Sequence, residues 1–152
     1  MSAELEKTED ALRKLIEILH DSHQGFLDLE KNLKDPEGRQ MFREETLLRA
    51  NFAAELENEL HRFGVKDVKA APSTTAGKVH RAWGELKARL GGGDHALLAT
   101  AEKGEDEAKD AYQEALSGED FPLPLREMLL RQQRHILSAH ERVKALRDRL
   151  AA

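Results

Sequence analysis

The stretch "LREMLLRQQRHILSAHERVKALRDRL", residues 125–150, decides the fold, because its core-type positions repeat every seven residues. Two interleaved series make up the repeat: Leu125, Gln132, Ala139 and Leu146, and Leu129, Ile136, Val143 and Leu150. A seven-residue repeat places all of these positions on one face of an α-helix, which packs against other helices. The pattern predicts a long helix over 124–150.

The same kind of pattern occurs at the start of the chain, where Leu5, Leu12, Leu19, Phe26 and Leu33 are also spaced by seven. It predicts a helix over 4–33 with one buried face. The segment "KDPEG" (34–38) then ends this helix and starts another, because an aspartate followed by proline is typical of a helix N-terminus. So short a turn predicts an antiparallel helical hairpin.

The second helix is expected over 36–63, ending at Gly64, and a third over 94–117, with Asp94 as its N-cap. Between them lies a connection of roughly 30 residues that holds an amphipathic segment, "AGKVHRAWGELKARL", predicted as a short helix over 76–90. Neighbouring helices need far less chain than this. We therefore expect an all-α four-helix bundle, one domain over 1–152, whose central crossover runs the length of the bundle.

Composition excludes several classes of protein. The formal net charge of -5 argues against a nucleic-acid binder, which needs a concentrated positive surface. The chain has no cysteine, so disulfides and thiolate chemistry are excluded. No apolar run approaches the length of a membrane span and the first residues are acidic, which predicts a cytoplasmic protein.

Polar residues interrupt the apolar face of every helix. Counting about 1.5 Å per residue from the helix ends in the crossover topology brings four of them to one depth in the bundle. These four are His23, Glu45, Glu105 and His140. Two imidazoles and two carboxylates form a donor set that zinc, iron or manganese accepts, so the first hypothesis is a divalent metal site.

The alternative hypothesis is a structural polar layer. Glu45 and Arg49 are spaced as an ion pair within one helix, and an arginine beside the site competes with a metal cation. Gln132 and Ser22 also fall on the inward faces. In this interpretation, Arg49, Gln132 and Ser22 belong to a hydrogen-bonded core that fixes the register of the helices.

Four segments of the chain carry a family resemblance: "LIEILHDSHQGF" (15–26), "RANFAAELENEL" (49–60), "HRAWGELKARLGGGDHALLATAEKGEDEAKDAYQEAL" (80–116) and "HILSAHERVKALRD" (135–148). Together they resemble the bacterial DUF2383 family of ferritin-like four-helix-bundle proteins, a family of unknown function. The resemblance implies a ferritin-like fold and an association with stress, but no activity. Di-iron relatives use Glu-x-x-His motifs, which neither Glu45 nor His140 completes, since Leu48 and Leu137 stand in the other positions.

Three functions are therefore expected as alternatives. The first is a non-catalytic helical bundle with a structural or metal-holding centre. The second is a metal-dependent oxidase or metal store of the di-iron carboxylate class. The third is a partner-binding adaptor that uses the 76–90 helix, where Trp83 lies on an apolar stripe among basic residues. No catalytic residues are assigned, and a leftover apolar helix face would allow a homo-oligomer.

Overall fold

The structure is a computed structural model that describes residues 3–68, 83, 86, 91–118 and 120–151. It contains four long helices. Their bounds are α1 (Ala3–Asn32), α2 (Pro36–Arg62), α3 (Asp94–Gly118) and α4 (Leu123–Arg149). The all-α four-helix fold expected from the heptads is confirmed, and each end lies within one residue of its predicted position.

The first turn is made as its sequence predicts. Asp35 has an extended backbone, and its carboxylate accepts a hydrogen bond from the N–H of Gly38 at 2.9 Å, while Pro36 occupies the first helical position. At the other end of α2, Gly64 has a φ of +90°, in the left-handed region that favours glycine. These two features define the bounds of α2.

The start of α3 lies at the same end of the bundle as the turn between α1 and α2. The carboxylate of Asp94 accepts hydrogen bonds from the backbone N–H groups of Lys34 and Asp35, at 2.9 and 2.8 Å, so it braces a neighbouring turn, whereas the sequence predicted a cap for its own helix. The last turn of α4 reaches the same place, where Arg149 pairs with Asp35 and Glu37.

This arrangement fixes the directions of the helices. α2 and α3 start at the same end, so α2 finishes at the far end, about 40 Å away for 27 residues at 1.5 Å each. The chain from Arg62 to Asp94 therefore has to cross the whole length of the bundle. The crossover predicted from the length of this connection is confirmed.

Packing between the helices is uneven. α1 and α2 form one closely packed hairpin, α3 and α4 form the other, and α1 lies against α3. α2 and α4 approach each other much less, and long side chains bridge the gap between them. A groove of about 520 Å³ lies between the start of α2 and the end of α4, at one end of this α2–α4 seam.

The predicted short helix at 76–90 lies outside the described residues except for Trp83 and Leu86. Both are helical and buried, with 6% and 0% of their surface exposed. Within the described ranges, no helix is long and apolar enough to cross a membrane.

Candidate functional site

The polar centre of the bundle is organised around Arg49, whose side chain is 0% exposed. Its guanidinium donates two parallel hydrogen bonds to Glu105, from Nη1 to Oε1 at 2.8 Å and from Nη2 to Oε2 at 2.7 Å. Its Nε lies 3.5 Å from Oε2 of Glu45, one helical turn earlier. The guanidinium carbon also lies 4.8 Å from the centroid of the Phe26 ring, so an aromatic face closes the site on one side.

Helix α4 supplies the hydrogen-bond partners of Oε1 of Glu45. Oε1 of Glu45 accepts a hydrogen bond from Nη2 of Arg142 at 2.7 Å and lies 2.7 Å from Nε2 of His135. Glu45 is almost fully buried, whereas Arg142 and His135 are partly exposed on the α2–α4 seam. Glu45 therefore connects the buried guanidinium to the surface of α4.

The charges in this cluster balance. The two carboxylates, Glu45 and Glu105, face the two guanidiniums of Arg49 and Arg142, and arginine stays protonated in proteins. His135 can donate its Nε2 proton to Glu45 without carrying a charge. The cluster is neutral without any added cation.

The electrostatics of Glu45 follow from these contacts. Burial raises the pKa of Glu45, but the hydrogen bond with His135 and the charges of Arg49 and Arg142 outweigh burial, and the pKa lies below its ordinary value of 4.5. For Arg49, burial lowers the pKa, but the two carboxylates overcome this effect and hold the pKa above its usual value. Both partners are therefore charged at neutral pH.

A second polar layer lies beside the first. The hydroxyl of Tyr112 donates to Oε1 of Gln132 at 2.6 Å, and Nε2 of Gln132 donates to Oε1 of Glu55 at 3.1 Å. Tyr112 and Gln132 are both 0% exposed, and burial raises the pKa of Tyr112 far above its usual range. Arg131 pairs with Glu55 at the surface. This chain of contacts links α3, α4 and α2.

The predicted metal ligands are distributed as follows. Arg49 joins Glu45 and Glu105, whereas His140 contacts Asp106, with Nε2 2.5 Å from Oδ1. His23 is half-buried on α1. Among the residues that the structure describes, no group of three or more His, Asp and Glu side chains is placed to hold a metal ion. Metal binding by these four residues stays a prediction.

The predicted structural residues are all buried. Arg49 is the central residue of the first polar layer, and Gln132 is the central residue of the second. Ser22 donates its hydroxyl proton to the carbonyl of Ile18 at 2.9 Å, within its own helix, and so belongs to neither layer.

Sequence reasoning missed three residues of the site: His135 and Arg142, which hold Glu45, and Asp106, which holds His140. His135 and Arg142 are seven residues apart and so share one flank of α4, beside the apolar face. A basic pair on that flank is a signal that would have indicated a bridge to a neighbouring helix. For Asp106, which lies within the acidic run "EKGEDE", the sequence carries no comparable signal.

Trp83 closes the gap between α1 and α3 next to the polar centre. Two glycines leave room for its ring: an added Cβ at Gly25 would lie 2.2 Å from its Cε3, and one at Gly104 would lie 2.4 Å from its Cζ2. The ring also meets Phe26 edge to face, with centroids 5.5 Å apart. Trp83 is therefore buried against its own bundle, with 6% of its surface exposed.

The fold and this site define a class: a four-helix bundle with a long crossover and a buried, charge-balanced centre on Arg49. The chain belongs to the family described as a domain of unknown function (DUF2383), whose model matches residues 7–118. The match covers α1, α2 and α3, while α4, with His135 and Arg142, lies beyond it. No curated protein matches the chain.

Proposed function

We propose that this protein is a non-catalytic, cytoplasmic helical bundle whose buried polar centre is structural. The observation that carries the proposal is the position of Arg49. Its guanidinium lies between Glu45 and Glu105, hydrogen-bonded to Glu105 and 3.5 Å from the carboxylate of Glu45. Together with Arg142, this permanent cation neutralises the two carboxylates that the metal hypothesis requires.

The chemistry of the cluster supports the same conclusion. A general acid or base needs a pKa close to the working pH, but the pKa of Glu45 is shifted below its ordinary range and that of Arg49 above its own. Both groups are held in their charged forms by several partners. Such a cluster fixes how helices pack and is poorly suited to proton transfer.

The partner-binding alternative requires the apolar face of the 76–90 segment to be available. Trp83, the largest side chain of that face, is instead inserted between Gly25 and Gly104 of its own bundle. The oxidase and metal-store alternatives require the carboxylates to be released from Arg49. These contacts favour the structural function over both.

Metal analysis of the purified wild-type protein tests the proposal. We expect less than stoichiometric iron, zinc or manganese, and no change in melting temperature when each metal is added. Stoichiometric metal in the wild type that is lost in His23→Ala but retained in His95→Ala, an exposed control, would establish the metal site instead.

A further inference from the structure

Helix α4 carries a line of apolar side chains on its outer surface. Leu123 and Leu137 are 67% and 40% exposed, and Leu130, midway between them, is partly exposed as well. Charged residues make up 35% of the chain, and a leucine gains free energy from burial. Three leucines in one line on such a surface indicate an interaction site, whereas a single exposed leucine needs no explanation. We call these three residues the outer stripe.

The outer stripe lies on a different side of α4 from the core. Its leucines share the seven-residue spacing that aligns side chains along a helix, and they lie about 140° around α4 from the buried Leu125. α4 thus has two apolar sides. One packs inside the bundle, and the exposure of Leu123 and Leu137 shows that no described residue covers the other. A second apolar side with this spacing accommodates another helix.

Two opposite charges lie beside the outer stripe, on the same flank of α4. Glu127 is three residues before Leu130, and Arg134 is four residues after it. Both side chains are exposed, and neither makes an ion pair or a side-chain hydrogen bond with another described residue. Opposite charges on either side of Leu130 make this surface complementary to its own copy when that copy is turned end to end.

We propose that the outer stripe of α4 binds the outer stripe of a second copy of this chain, with the two α4 helices antiparallel about a twofold axis at Leu130. The axis places Leu130 against its own copy and Leu123 against Leu137 of the partner subunit, so that every leucine of the stripe is covered. This inference goes beyond the proposed structural role of the buried centre and does not depend on it.

The twofold axis also pairs the free charges. In an antiparallel pair, each flank of one helix faces the same flank of the other. Glu127 therefore meets Arg134 of the partner subunit, and the symmetric contact forms on the other side of the axis. Arg131, farther around α4, keeps its ion pair with Glu55. Two ion pairs form between the copies without breaking one within them.

A parallel pair fits this surface less well. Parallel helices turn opposite flanks towards each other, which would place Arg134 beside Gln133 of the partner subunit and leave it without a carboxylate. Glu127 would lie beside the partner's Arg126, whose guanidinium already donates a hydrogen bond to the carbonyl of Leu116. The charges therefore favour the antiparallel direction.

The size of the outer stripe sets the strength of the interaction. Residues 123 to 137 extend over about 21 Å of helix, which is small for a permanent interface. We therefore expect a reversible dimer with a dissociation constant on the order of 10 µM.

Sedimentation equilibrium of the full chain, from about 1 µM to 1 mM, tests for the dimer. We expect a monomer–dimer equilibrium in the wild type and monomers for Leu123→Glu and Leu137→Glu. The matched control is Leu47→Glu, which should still dimerise, since Leu47 is similarly exposed, at 65%, but lies on α2. A wild type that is monomeric at every concentration would overturn the proposal, and so would a dimer that survives both α4 substitutions.

Charge reversal tests the pairing of Glu127 with Arg134. Arg134→Glu should weaken the dimer about tenfold, because each new carboxylate faces Glu127 of the partner subunit, and Glu127→Arg added to it should restore the affinity. Lys31→Glu changes the net charge equally on α1, which does not pack against α4, and should leave the affinity unchanged. Equal weakening by Arg134→Glu and Lys31→Glu would exclude the ion pairs.

Cross-linking tests the direction of the helices. Because the chain has no cysteine, Leu123→Cys and Leu137→Cys each introduce a single thiol. In the antiparallel pair, a short bis-maleimide should link the two variants to each other when they are mixed at concentrations where the wild type is dimeric. Identical positions lie about 21 Å apart in this pair, so neither variant alone should be linked. Linkage within each variant and none between them would overturn the antiparallel arrangement.

Discussion

Arg49 and Glu105 form a bidentate ion pair, with hydrogen bonds of 2.8 and 2.7 Å, although 56 residues separate them in the chain. Neither side chain is exposed. The pair joins α2 of one hairpin to α3 of the other, across the diagonal of the bundle. It therefore holds together the two halves of the molecule that the crossover connects.

Removing one member of this pair should cost far more than removing both. Arg49→Met leaves Glu105 charged, buried and unpaired, and should lower the free energy of unfolding by about 3–5 kcal/mol. The double variant Arg49→Met, Glu105→Met should recover much of that loss, because Glu45 keeps Arg142 and His135. Urea unfolding of the two single variants and the double variant measures the coupling.

The surface pair of Arg62 and Glu59, which lies on α2, is the control for this cycle. Its coupling should stay below about 1 kcal/mol. Additive losses for Arg49 and Glu105 would show that the two are energetically independent.

Acid should destabilise the protein through Glu45. The folded-state pKa of Glu45 lies below its ordinary value of 4.5, so its contribution to stability is complete above that value and is lost as pH falls through the folded pKa. Glu45→Gln should flatten the loss of melting temperature below about pH 4.5. Glu44→Gln, at an exposed neighbouring position, should leave the loss of melting temperature at low pH unchanged. An equal loss of melting temperature at low pH in the wild type and in Glu45→Gln would contradict this assignment.

Alanine at Gly25 or Gly104 should destabilise the protein. Within a helix, replacing glycine by alanine normally stabilises by up to about 1 kcal/mol. Here the new Cβ would lie 2.2 or 2.4 Å from the Trp83 ring, so the indole has to move, and the sign should reverse to a loss of about 1–3 kcal/mol.

Trp83 is the only tryptophan, so its fluorescence reports the same event. Emission should shift to longer wavelength in both variants. Gly118→Ala, at the last residue of α3, where an added Cβ meets nothing within 4 Å, should leave emission unchanged and should not lower stability. Unshifted emission in Gly25→Ala and Gly104→Ala would contradict the packing of the ring between the two glycines.

Alkaline titration should not ionise Tyr112 in the folded protein. It is the only tyrosine, and burial raises its pKa far above the usual range, so phenolate absorbance should appear only when the bundle unfolds. Because the folded pKa is raised, this contribution to stability is present below the ordinary pKa and is lost as pH rises above it. Tyr112→Phe should remove that loss; phenolate formation before the loss of helical circular dichroism would exclude the buried hydroxyl.

The sequence predicts the helices and their connectivity well, for physical reasons. Heptad spacing determines which face of each helix is buried, and the sequence Asp35-Pro36 favours the start of α2 wherever the rest of the chain lies. The crossover follows from chain length alone, since a hairpin would leave roughly 30 residues unused.

The contacts within the site are predicted less well. Spacing along α2 predicts the contact of Glu45 with Arg49, because both residues lie on one helix. The partners Glu105 and His135 belong to other helices, and their contacts depend on how far each helix is rotated about its axis. If a helix is shifted by one residue or slightly rotated, a side chain facing it meets a different carboxylate. His140 is an example: the sequence places it at the depth of Glu105, but it contacts the neighbouring Asp106.

The loose α2–α4 seam implies that the molecule opens unevenly. Local opening requires the least loss of buried contacts where two helices touch least, so the two hairpins should part along this seam while α1 and α3 act as the hinge. Water would then enter through the groove beside Arg142 and reach Glu45 before any other part of the centre. Backbone amides along the seam should exchange their hydrogens with solvent sooner than those between α1 and α2. The extent to which the buried charges become exposed to water would then report how far the bundle has opened.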